Sequence, residues 1–140
     1  MQLKQLLKQM ILALIGGTIY VLIEFMWRGY SHVSMFLLGS ICFIFLGSLN
    51  ESFSWDLGMI WQMFMGANFI TLCELITGVI VNIWLKLEVW DYSDLPFNFM
   101  GQICFAYYGA WVFLSGIGIV VDDYLRYWLF DEEKPHYKIF

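Results

Sequence analysis

Charge is scarce in this sequence. Only 14% of its 140 residues are Asp, Glu, Lys or Arg, against roughly 25% in ordinary soluble domains, and 61% are hydrophobic. That balance excludes a soluble globular domain. No block of basic residues occurs, which sets nucleic-acid binding aside. The three cysteines, Cys42, Cys73 and Cys104, show no CxxC spacing, so they read as small packing residues rather than disulfide or metal partners. No GxxxxGK[ST] phosphate loop is present, and no nucleophile sits in an elbow or triad pattern. His32 has no second histidine at ligand spacing, so no metal or cofactor is expected. There is no useful repeat, no low-complexity linker and no second domain.

Long apolar runs fill the space that these absences leave. A membrane-crossing helix needs about 20 residues, and the chain allows four: about 6–27, 35–49, 57–85 and 99–121. The expected fold is an all-α integral membrane protein forming one transmembrane domain with short loops. Residues 122–140 follow as a helical stretch, DDYLRYWLF, that either continues the fourth helix to the interface or lies along it as an interfacial helix, and then a frayed acidic tail. The start, MQLKQLLKQMILALIGG, resembles a signal peptide in its charge, but its apolar stretch is too long and lacks a small-residue cleavage site. It reads as a retained first helix. A cytoplasmic N-terminus puts Lys4, Lys8, Arg126, Lys134 and Lys138 inside and leaves Arg28 and Lys86 outside, which satisfies the positive-inside bias with both termini cytoplasmic. The expected location is therefore the cell membrane.

Polar residues recur within these spans at helical spacing. Gly58, Gln62, Gly66, Ala67, Thr71, Glu74, Gly78 and Asn82 follow one another by short steps that gather them on one face of the third span. Gly17, Tyr20, Glu24 and Arg28 do so in the first, and Ser115, Gly118, Asp122 and Arg126 in the fourth. Such faces serve as packing seams, but charged members cost more. Glu74 lies deep in its span, where an unpaired carboxylate costs about 3 kcal/mol or more. Arg28 is its candidate partner, shared with Glu24. One arginine facing two carboxylates leaves room for a proton, a cation or a substrate donor.

Above this cluster lies the connection VWDYSDLPFNFMGQ. Pro96 suits the first turn of a fourth helix, with Ser93 or Asp94 as its cap. Asp91, Asn98 and Gln102 are left over as candidate caps of a site. The candidate substrate-binding or ion-pathway residues are thus Glu24, Arg28, Glu74, Asn82, Asp91, Asn98 and Gln102. At the cytoplasmic end Asn50, Glu51, Asp122 and Arg126 form a candidate structural or gating clamp.

The order of these pieces, from Glu24 to Arg126, resembles the bacterial putative ABC-transporter type IV family, most specifically in WDYSDLPFNFMGQIC and in the Glu74 to Asn82 stretch. The resemblance implies a small multi-pass membrane protein with a transport role. An ATPase or other transport subunit would then be a partner, coupled through the short NESFSWD connection at 50–56, the termini or a further subunit. The function expected is a transport component, acting as a homo-oligomer in the lipid bilayer, that binds or passes a small polar or ionic solute. The alternatives are a membrane-embedded enzyme acting on a lipid or lipid-linked substrate through Asp91 and Glu74, and a non-catalytic assembly subunit.

Overall fold

The computed structural model describes residues 1–140. Four helices dominate it: α1 (Gln2–Arg28), α2 (Val33–Ser52), α3 (Met59–Gly78) and α4 (Phe105–Phe130). Helix α3 runs directly into a π-helical segment, Val79–Trp84. All four helices are long and apolar enough to cross a membrane. Even the shortest, with 20 residues, reaches about 30 Å at 1.5 Å per residue. The chain is a multi-pass membrane protein.

Local chemistry sets the helix ends. Gly29 stops α1 by taking a left-handed φ of 77° and returning its N–H to the Phe25 carbonyl at 3.0 Å, a turn that glycine makes without Cβ strain. The ring of His32 opens α2 by accepting from the Ser34 amide at 3.1 Å, the role of an N-cap side chain.

Helix α2 is the centre of the bundle. It packs on α1 along one side and meets α3 and α4 on the other. Gly39 lets the Tyr20 ring of α1 press onto the α2 backbone, where a Cβ would collide with it. Ser40 Oγ donates to the Ala13 carbonyl at 2.8 Å, satisfying a polar side chain across that seam. Leu46, Ala67, Ile70, Trp111 and Ile119 form the core among α2, α3 and α4. Leu14, Leu22, Ile41, Leu72, Ile76 and Phe113 point outward, as lipid-facing residues do. The polar stripe of α3 turns inward, with Gln62, Gly66, Ala67, Glu74 and Gly78 all buried.

Three expectations about boundaries and ends are corrected. The fourth helix starts at Phe105, not Phe99, and runs on to Phe130, so residues 122–130 continue the helix, the first of the two courses open to them. Ser93, Asp94 and Pro96 do not start it. Residues 98–104 instead form a small antiparallel hairpin, Asn98–Phe99 against Ile103–Cys104. Met100 at φ 57° and Gly101 at φ 70° turn it, and two successive left-handed residues cannot belong to a helix.

The acidic tail is not frayed. The Lys138 carbonyl accepts from the Met59 amide at 2.6 Å and the Ile139 carbonyl accepts from the Ile60 amide at 3.2 Å. Backbone groups of the tail thereby satisfy amides at the start of α3 that no side chain caps. Pro135 is buried, and the Trp55 ring lies 4.8 Å from His136 and 5.7 Å from Tyr137 between centroids. Trp55 also donates to Glu133 at 3.1 Å. This bond and that from His136 hold the Glu133 carboxyl below its usual range.

Candidate functional site

Two polar clusters occupy opposite ends of the bundle. The first lies toward the hairpin and centres on Glu74, whose residue is 2% exposed. Its two oxygens are each held by a neutral donor: Tyr92 Oη gives its proton to Oε1 at 2.8 Å, and Trp111 Nε1 donates to Oε2 at 2.9 Å. Arg28, the partner expected from the sequence, is not there. It pairs with Glu24 one turn earlier, donates through Nη1 to the Val89 carbonyl at 2.7 Å and lies 4.4 Å from the Tyr30 ring centroid. The i,i+4 spacing satisfied Arg28 locally, and Glu74 makes no ion pair at all.

An aromatic wall surrounds this carboxyl. Tyr107 stacks on Tyr92 with centroids 4.6 Å apart and planes 10° from parallel. Trp111 stands 6.5 Å from Tyr107 and 6.0 Å from Tyr20. Burial, and after it the charge of Glu74, push the Tyr92 phenol above its ordinary range, so it remains a proton donor to the carboxyl at physiological pH.

Asn82 ties the hairpin segment to the helical bundle. Its Oδ1 accepts from the Val89 amide at 2.7 Å and the Trp90 amide at 3.3 Å, while its Nδ2 donates to Gln102 Oε1 at 2.8 Å. Gln102 is buried and its carbonyl accepts from Trp90 Nε1 at 3.0 Å. Asp91 and Asn98 lie elsewhere. Asp91 is exposed and accepts from the Ser93 amide at 2.9 Å; contacts with Ser93 hold its carboxyl below the usual range. Asn98 donates to the Leu95 carbonyl at 2.8 Å and accepts from the Gly101 amide at 3.0 Å. Both residues build the turn and neither reaches Glu74. Of the three candidate caps, only Gln102 is drawn inside.

The second cluster lies where α2 and α4 end, beside the tail. Asp122 is fully buried and accepts from Arg126 Nε at 2.6 Å. Its carboxylate rests on the α2 backbone at Gly47, where a Cβ would collide with it. Arg126 Nη1 lies 3.5 Å from Glu51. Asn50 donates to Asp123, not to Asp122 or Arg126, at 2.6 Å, and Tyr137 Oη donates to the same oxygen at 2.9 Å. Burial first, then Asp123, raise the Tyr137 phenol above its ordinary range. Lys8 pairs with Glu132. A polar pocket of about 280 Å³ opens among Asn50, Asp123, Arg126 and Glu132.

Sequence reasoning missed Tyr92 and Trp111 as partners of Glu74, and Asp123, Tyr137, Lys8 and Glu132 in the second cluster. The first two are bulky aromatics, one in a loop and one in a span, and they come together only through tertiary packing. Asp123 sits about 100° around the helix from Asp122, off the stripe that singled Asp122 out. No group of three His, Cys, Asp or Glu side chains converges in a way that could hold a metal ion.

No curated protein and no solved structure matches the chain. A family model, however, matches residues 10–135, which include Glu74 and its partners, most of the second cluster and nearly all of the four helices, and the chain belongs to the family described as putative ABC-transporter type IV.

Proposed function

We propose that this protein is a transport component in which Glu74, in the outer half of the bilayer, binds a small polar or ionic solute or carries a proton as that solute moves. The single observation that supports this reading is a buried carboxyl group with two neutral donors and no cationic partner. A structural carboxylate at membrane depth is ordinarily paired with a cation, because an uncompensated charge is costly there. Glu24, Arg28, Asn82 and Gln102 shape the surroundings of the site in this reading, while Asp91 and Asn98 build the nearby turn. Asn50, Glu51, Asp122 and Arg126 act as a clamp that governs access from the other side.

The family name supports transport as the broad role. The basic residues favour cytoplasmic termini, and an ATPase or another transport subunit would couple at that face. Assembly into a homo-oligomer belongs to the same reading. The test uses the reconstituted protein in liposomes on a solid-supported membrane, with jumps in sodium, proton, tetramethylammonium, amino-acid and sugar concentration. Wild type should give a charge movement with at least one of these. Glu74→Gln should reduce it by about tenfold or more, as expected when one intramembrane charge carries the process, without lowering the melting temperature. A current that survives Glu74→Gln unchanged would sink the reading.

A further inference from the structure

Helix α1 is tied to the tail just beyond α4 at one end and to α4 itself at the other, and Tyr20 and Trp111 meet between them. At one end Lys8 pairs with Glu132; at the other Trp27 Nε1 donates to Tyr107 Oη at 3.3 Å. Between these contacts lies a lateral slot with a cavity volume of about 110 Å³. Ile19 and Ile23 line it from α1, Cys42 from α2, and Trp111 and Ile117 from α4, with Tyr20 at the corner. Its mouth faces the region that lipid chains occupy.

The wall formed by Trp111 has a second side. The indole N–H that leaves the slot ends on Glu74 Oε2 at 2.9 Å. Tyr20 meets Trp111 with centroids 6.0 Å apart and planes inclined at 57°, so two aromatic rings form the inner corner of the slot, and the carboxyl group lies at the N–H edge of the indole, just outside the slot lining. That group lacks a counter-charge, since Arg28 is committed to Glu24 and Val89 and Lys8 is committed to Glu132. An indole face whose N–H is bound to a carboxylate attracts organic cations, the quaternary ammonium group above all.

The same geometry argues against other occupants. A hard inorganic cation needs several oxygen ligands, whereas the slot is apolar and both Glu74 oxygens are already engaged. A partner helix would need an open small-residue face. Gly16 and Gly39 are instead covered by Phe43 and Tyr20 of the same chain, and the contacts at both ends of the slot prevent a helix about 10 Å wide from lying between α1 and α4.

We propose that the slot between α1 and α4 binds an amphipathic organic cation from the bilayer, its alkyl part on Ile19, Ile23 and Ile117 and its cationic head against Tyr20 and Trp111, with Glu74 as counter-charge. This names the solute class of the Glu74 site and rests on the transport reading.

Dodecyltrimethylammonium is the probe, titrated into the full chain in nanodiscs of zwitterionic lipid, with heat and tryptophan fluorescence as readouts and empty nanodiscs as the partition control. Wild type should bind it saturably. Glu74→Gln should weaken binding about tenfold or more, and Trp111→Leu about threefold to thirtyfold, the range expected from loss of one cation–π face. Ile117→Trp fills the slot without touching Glu74 and should also block the probe, which separates occupancy from any folding defect in the Glu74 variant. Equal binding by wild type and Glu74→Gln overturns the proposal. So does equal binding of dodecyl sulfate or of an uncharged dodecyl glycoside.

The two readings fail separately. Absence of probe binding alongside a Glu74-dependent current for another solute removes the cation assignment and leaves transport standing. Probe binding as described, with no Glu74-dependent current, supports the cation site and removes its transport role.

Discussion

Arg126→Met should destabilise the folded protein by about 3–5 kcal/mol, because truncating one partner of a buried ion pair leaves the other charged and uncompensated. Both partners are nearly inaccessible: Asp122 is 0% and Arg126 2% exposed. The Asp122 carboxylate has little room to turn away, since it rests on the α2 backbone at Gly47. Lys8 cannot replace the guanidinium freely while it is paired with Glu132. Equilibrium unfolding in mixed micelles measures the effect. The double variant Asp122→Asn, Arg126→Met removes both charges and should recover a substantial part of the loss, since replacing a whole buried pair is often nearly neutral. A single-variant loss below about 1 kcal/mol, the value of a surface pair, would contradict the burial argument.

Asn82→Leu should have the next largest effect, of about 2–6 kcal/mol, because it strands the Val89 amide and the Gln102 amide oxygen at about 1–3 kcal/mol for each buried group, while the Trp90 amide loses only a long bond. Trp90 N–H is the weakest of the three bonds, at 3.3 Å, which favours the lower part of that range. The damage should concentrate in residues 85–104, so limited proteolysis there should accelerate more than cleavage elsewhere. Asn82→Asp retains the acceptor for Val89 and Trp90 and loses only the donor to Gln102, and it should fall between Asn82→Leu and wild type. If both variants unfold like wild type and resist protease equally, Asn82 is not what fastens this segment.

Both predictions concern residues that the sequence had singled out by spacing. Period and length made the four helices legible, and the inward stripe of α3 followed from steps of three and four. The Glu24–Arg28 and Asp122–Arg126 pairs were legible for the same reason: their partners are four residues apart on one helix. Glu74 was recognisable as an anomaly, but its partners were not. Tyr92 and Trp111 lie 18 and 37 positions away, and no local pattern encodes such a distance.

The outer connection misled because Pro96 and its polar neighbours have the composition of a helix start. The deciding residues lie later, where Asn98 Oδ1 accepts from the Gly101 amide and closes the hairpin turn. The tail misled because its charge suggested solvent, whereas its backbone carbonyls bond to the start of α3.

The π-helical segment Val79–Trp84 gives the third membrane span two angular settings. A π turn contains roughly one residue more than an α turn, so it offsets the faces on either side by an amount that a continuous α-helix would not allow. Up to Gly78, azimuth is fixed by Glu74 facing Trp111 and Tyr92; beyond Val79, it is fixed by Asn82 facing Gln102 and Val89. Winding the same residues as a uniform α-helix would rotate its distal part by about 100°. The bulge thus works as an angular coupling that lets the buried carboxyl and the hairpin anchor each find their partners along one continuous rod.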